Sequence, residues 1–135
     1  MKAPAKIQWA VVVVAAFVIE AALFAILIPV GILFGMQVFL VAVPIGVFVI
    51  TYLLTVWFGS RIQSRLVLHG LLIGLVATLI YLGLLVAQGA MATAIATYGP
   101  VMFVVGNGLR VVEAVMGGVV QKKRRLAGKI GTVAI

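Results

Sequence analysis

The sequence predicts an all-α integral membrane protein: a four-helix bundle whose N- and C-termini both face the cytoplasm. Three observations carry that prediction. Hydrophobic residues make up 66% of the chain and the mean hydropathy is +1.39, whereas a soluble domain is about 45–50% apolar. The apolar residues fall into runs of the length a bilayer requires, roughly 20 residues of helix for a hydrocarbon core about 30 Å thick. Finally, nine of the ten lysines and arginines sit in three short clusters between those runs, and the tenth, Arg110, stands inside one.

Taken in order, the first apolar stretch ends at Gly59 and is interrupted by Glu20 and Gln37, with Thr51, Tyr52 and Thr55 near its end. It is too long for one span and suits two, predicted at about 7–28 and 38–59. The break between them is expected in PVGILFGMQ, where Pro29 lacks a ladder donor and Gly31 and Gly35 permit a reversal. A third span is predicted at 66–87 and a fourth at 101–121, separated by the small-residue segment QGAMATAIATYGP, which reads as a loop. A basic tail then occupies 122–135, so the whole chain, 1–135, reads as one transmembrane domain. Pro44 marks a kink in the second span.

The charges divide the chain in the same way. Lys2 and Lys6 precede the first span, Arg61 and Arg65 join the second to the third, and Lys122, Lys123, Arg124, Arg125 and Lys129 follow the fourth. The two remaining connections carry no charge. By the positive-inside rule, both termini and the middle loop are expected on the cytoplasmic side of an inner, bacterial-type membrane. Trp9, Trp57 and Tyr98 fall near span ends, the depth that amphipathic rings prefer. The first apolar run is long enough to span and carries Glu20, so it is read as a membrane helix and not as a cleaved leader.

Two of the spans contain charge. A central Arg or acid costs about 2.5–3.5 kcal/mol on insertion, against roughly 0.3–0.6 kcal/mol gained per Leu, Ile, Phe or Val. The first span sets thirteen such residues against Glu20 alone, while the fourth sets ten against Arg110 and Glu113. The fourth span therefore needs partners. Glu20 lies about 20 Å above the predicted start of its helix and Arg110 about 16 Å above the end of its own. These depths predict an Arg110–Glu20 pair across helices, and the spacing of three predicts an Arg110–Glu113 pair along one helix. Gly106, Asn107, Arg110, Glu113, Gly117 and Gln121 follow steps of three and four, which gives the fourth span one polar, small-residue stripe. Two roles suit the cluster of Glu20, Asn107, Arg110 and Glu113. It is either an ion-pair clasp that holds helix register, or a proton or cation site with Arg110 as counter-ion.

Other residues carry less. His69, one turn into the third span, reads as an interfacial hydrogen bonder, with axial ligation of a porphyrin metal the rival role. Gly70 and Gly74, like Gly106 and Gly117, offer flat faces for helix packing. Lys122, Lys123, Arg124 and Arg125 read as a topology signal and a contact for anionic lipid headgroups. Cysteine is absent, which excludes disulfides and thiolate chemistry. No nucleophile–base constellation or metal-ligand spacing occurs, so neither enzyme activity nor a cofactor is expected. Without a soluble module, nucleic acid is not an expected partner. The expected function is that of a non-catalytic accessory, assembly or scaffold subunit, partnered in the bilayer by other membrane subunits or by itself. The alternative is a small proton- or ion-coupled transporter or channel using Glu20 with Arg110 and Glu113.

Overall fold

The computed structural model describes residues 6–133, with side chains as far as Gly128. Of the basic clusters, Lys2 and the side chain of Lys129 lie outside the described part. Every element among the described residues is a helix: α1 (Trp9–Gly59), α2 (Leu66–Ala87), α3 (Met91–Tyr98) and α4 (Pro100–Val133). Helices α1, α2 and α4 are each long and apolar enough to cross a membrane, so the chain is a membrane protein. In lipid, only a helix or a closed barrel satisfies every backbone donor and acceptor internally.

Helix α1 is two limbs. Its 51 residues would reach about 77 Å if straight, far beyond the hydrocarbon core, and the chain instead folds back at Gly35. There φ is 82° and ψ 172°, the one non-helical pair inside the helix and a region essentially reserved for glycine. A methyl group on Gly46 would stand 3.0 Å from Leu27 Cδ2, and one on Gly31 would stand 3.0 Å from Phe39 Cδ2. Those contacts put residues 9–34 alongside residues 36–59. The reversal thus falls inside PVGILFGMQ, at one of the two glycines expected to permit it, while the expected connection from Pro29 to residue 37 is corrected, since helix runs up to both sides of Gly35. Pro29 and Pro44 both lie inside helix, because proline removes one hydrogen bond and bends a helix but does not reverse it.

Helix α2 has the bounds the sequence predicts. The segment after it does not form the expected loop: MATAIATY is helix α3, bracketed by Gly89 at φ 64° and Gly99 at φ 76°. Between those two left-handed breaks there is neither Gly nor Pro, and the alanines favour helix. Helix α4 likewise continues through the basic run, since Gln, Lys, Arg, Leu and Ala are good helix formers. Its 34 residues extend about 51 Å, so part of it projects beyond the hydrocarbon core.

Packing relies on close backbone approach, as lipid offers no hydrophobic drive between helices. Helix α2 runs antiparallel to α4 and makes the largest interface with it. A methyl group on Gly70 would collide with the Ala114 carbonyl oxygen, one on Gly74 would stand 2.8 Å from Val111 Cα, and one on Gly118 would stand 2.6 Å from the Leu66 carbonyl oxygen. The second limb of α1 runs parallel to α4 in a register set by Gly117 against Thr55 and Gly59 against Gln121. Val12, Ala15, Ala16, Ile19 and Leu23 make the apolar stripe of the first limb and share one core cluster with Ile62, Leu66, Ile73 and Ala77.

One end of the bundle is tied by polar groups. The Gln8 amide donates to His69 Nε2 and Gln8 Oε1 accepts from the Gln63 amide, each at 3.0 Å. Arg125 donates to the carbonyls of Gly59 at 3.0 Å, Ser60 at 2.9 Å and Gln63 at 3.2 Å, which closes the C-terminus of α1. The Arg61 guanidinium lies 3.8 Å from the centre of the exposed Trp57 ring. This is the basic end. The opposite end carries the positive-φ glycines 35, 89 and 99.

Candidate functional site

Where α4 crosses the middle of the bundle it presents Arg110 and Glu113, and their fates differ. Arg110 is 8% exposed, and its Nη1 lies 2.6 Å from Glu20 Oε1 on the first limb of α1. Its guanidinium also stacks 4.2 Å from the centre of the Tyr81 ring on α2. A charge-assisted hydrogen bond and an aromatic face thus hold the arginine in apolar surroundings.

Glu113 is 3% exposed and has no such partner. Among the described residues Arg110–Glu20 is the ion pair, and Glu113 Oε2 is buried without a hydrogen bond. The expected Arg110–Glu113 pair is thus corrected. Positions three apart share a face of the helix, but here Arg110 reaches toward the first limb of α1 while the register of Gly117 on Thr55 sets Glu113 beside the second.

Between that second limb and α4 lies a cavity of about 190 Å³. Leu40, Val43, Pro44 and Val47 form one wall and the α4 residues from Met102 to Glu113 the other, with Tyr81 and Tyr98 contributed by α2 and α3. The walls are largely apolar. The polar groups are the two tyrosines, Asn107, Arg110 and Glu113. Asn107 donates through Nδ2 to the Phe103 carbonyl at 2.8 Å, and its Oδ1 is buried without a partner. The hydroxyls of Thr51, Thr55 and Thr78 are also buried and unpartnered. The parallel register carries Thr51 to the level of Glu113, and the antiparallel one carries Thr78 to that of Asn107. Buried polar atoms without partners cost about 1–3 kcal/mol each; of these five, Asn107 Oδ1 and Glu113 Oε2 belong to residues that line the cavity.

The remaining predicted residues are placed as follows. Gly70, Gly74 and Gly117 are at backbone contacts, but a methyl on Gly106 would meet nothing within 4 Å. Gly106 lines the cavity and is corrected from a packing residue to a wall residue. Gly118, not singled out from the sequence, takes the packing role on α4. His69 is fully buried with both ring nitrogens engaged: Nε2 accepts from Gln8 and Nδ1 donates to the Arg65 carbonyl at 3.0 Å. That leaves no nitrogen for a porphyrin metal. Among the described residues no three His, Cys, Asp or Glu side chains gather in a metal-binding group. Lys122, Lys123 and Arg124 are exposed, whereas Arg125 turns onto the end of α1 and is not a free headgroup contact.

Sequence reasoning missed Tyr98 as a cavity wall, having read it as an interface anchor, and gave Thr51 and Thr55 no role. One signal was present. Thr51, Thr55 and Gly59 repeat the four-residue step of Glu113, Gly117 and Gln121, which is the pattern of two small or polar helix faces packed in register. Compared with protein-family models, curated proteins and solved structures, the chain matches none.

Proposed function

We propose that this chain is a small, non-enzymatic, multi-pass carrier of a cytoplasmic, bacterial-type membrane, with both termini and the basic end on the cytoplasmic side. It exchanges a bound ligand for a proton at Glu113. The observation that carries the reading is the isolation of that carboxyl: 3% exposed, unpartnered at Oε2, and on the wall of a cavity. A carboxyl in apolar surroundings reaches neutrality either by holding a proton or by facing a bound cation. Alternation between those two states is what coupled exchange requires. Arg110 does not short-circuit it, because Glu20 already matches its charge. Glu20 and Arg110 are then the clasp that holds the site's register, and Glu113 is the group that works. Lys122, Lys123 and Arg124 add anchorage to anionic lipids.

The test is reconstitution in vesicles carrying a trapped pH indicator. Wild type is expected to dissipate an imposed pH gradient when external Na⁺, K⁺ or organic monocations are supplied, and Glu113→Gln is expected to be silent. Equal traces for the two proteins would overturn the reading.

A second reading, as an accessory subunit of a larger membrane complex, draws on Gly83 and Gly108. Both are exposed, and a methyl on either would meet nothing within 4 Å, leaving room for a helix of another chain to approach closely. Recovery of larger membrane subunits at fixed stoichiometry in mild detergent would support it.

A further inference from the structure

The cavity has a chemical polarity from which a class of ligand can be read. Charges come first. Arg110 and Glu113 both line it, but the arginine is matched by Glu20 at 2.6 Å, so the site is one positive charge short of neutrality when Glu113 is ionised. The ligand that completes it is a monocation.

The walls decide what kind. A hard ion such as Na⁺ or Ca²⁺ needs a shell of about six oxygens or more to replace its water. The side-chain oxygens on the cavity wall are the Glu113 carboxylate, Asn107 Oδ1 and the hydroxyls of Tyr81 and Tyr98, and most of the rest is Leu, Val, Pro, Met and Phe. A bare metal ion would exchange good hydration for largely hydrocarbon walls, at a cost that an incomplete oxygen shell does not offset. A cation that carries its own apolar body loses little water and gains contact with those walls. Aromatic faces add to its binding: the Tyr81 face is engaged by Arg110, while Tyr98 and Phe103 line the cavity without that partner. Size agrees. At about 30 Å³ per water molecule, a space of about 190 Å³ holds roughly six waters or one compact organic ion.

We infer that the cavity is a binding site for an amphipathic organic monocation, with its ammonium-type centre on Glu113 and its apolar body among Leu40, Val47, Tyr98 and Phe103. The inference deepens the carrier reading and rests on it for physiological meaning. Binding itself can be measured without transport.

Benzyltrimethylammonium is a suitable probe because it has a fixed charge, an apolar ring and no proton of its own. Titrated calorimetrically into the purified full-length chain in detergent, with empty micelles as reference, it is expected to bind saturably. Tetramethylammonium, which keeps the charge without the ring, is expected to bind at least about tenfold more weakly, and benzylsulfonate not at all. Affinity for the probe is expected to fall as pH is lowered, since proton and cation compete for one carboxyl. Glu113→Gln should weaken binding by about tenfold or more, a difference of about 1.4 kcal/mol. Leu40→Trp should also weaken it by filling the cavity without changing any charge, which keeps the test decisive if the Glu113 variant folds poorly. Absence of saturable binding, equal binding by tetramethylammonium, or unchanged affinity in both variants overturns the inference. If the probe fails while Na⁺ or K⁺ still supports Glu113-dependent proton flux in vesicles, the ligand class falls and the carrier stands. If both fail, both fall.

Discussion

The half of the bundle nearer the basic end and the half nearer Gly35 use the same helices in opposite ways. In the first, glycines 59, 70, 117 and 118 bring backbones together, and polar groups of Gln8, His69 and Arg125 tie the helix ends. In the second, Gly83, Gly106 and Gly108 face open space, the turns sit on positive-φ glycines, and a cavity separates the second limb of α1 from α4. A glycine in a membrane helix therefore marks either a contact or a gap, and only the facing residue decides which. Carboxyls divide the same way: Glu20 is buried in an ion pair, Glu113 buried with Oε2 unpartnered. The unpartnered oxygens of Glu113 and Asn107 lie on the wall of that cavity.

The largest effect expected from breaking this contrast is at the boundary between the halves. Arg110→Met leaves Glu20 as a buried charge without its partner, and should cost about 3–5 kcal/mol. Adding Glu20→Leu should restore most of that loss, since replacing both members of a buried pair by apolar groups is close to neutral. Reversible unfolding of single and double variants in mixed micelles measures both. A double variant as unstable as the single one would deny the pair its role as a clasp.

Next in size is the glycine comparison itself. Gly70→Leu places a side chain against the Ala114 carbonyl and forces α2 from α4, at about 3 kcal/mol. Gly83→Leu, on the same helix but facing open space, should change stability by less than about 0.5 kcal/mol. Similar melting of the two variants would erase the distinction between contact and gap.

These variants also mark what was legible in advance. The Arg110–Glu20 partnership follows from depth alone, because two charges at one level of a bilayer have few other partners. The bounds of α2 follow from a run with polar residues at both ends, Arg65 and Gln88. The reversal within PVGILFGMQ was legible to two glycines, Gly31 and Gly35; tertiary packing of Leu27 on Gly46 and Phe39 on Gly31 goes with the later one. Helix α3 was hidden by the Gly and Pro residues that flank it, although its alanines favour helix. The isolation of Glu113 was hidden because helical spacing gives the face of a residue but not the direction in which a long arginine turns. Sequence order likewise gave no sign that Tyr98 and Tyr81 would line one cavity.

Smaller again is the effect expected at His69. His69→Phe keeps the ring volume but removes the acceptor of the Gln8 amide and the donor to the Arg65 carbonyl. Arg65 is the one non-glycine residue with positive φ among those described, at 50°, and its carbonyl also accepts from the His69 amide. The variant should lose about 1–3 kcal/mol, with faster amide exchange at Gln8. Unchanged exchange at Gln8 would show that the start of α1 is held by packing alone.

The change in stability of opposite sign belongs to Glu113. Arg110, Gly70 and His69 each supply a contact the fold uses, whereas this carboxyl occupies a buried position with Oε2 unpartnered. Glu113→Leu removes that cost and adds an apolar side chain beside Val47 and Leu109 on the cavity wall. The variant should therefore melt higher, by about 1 kcal/mol of stability, while losing gradient dissipation and cation binding. A residue retained for structure would behave the other way, its loss lowering stability and function together. The sign of the melting shift, read beside the transport assay, thus separates a working carboxyl from a second clasp.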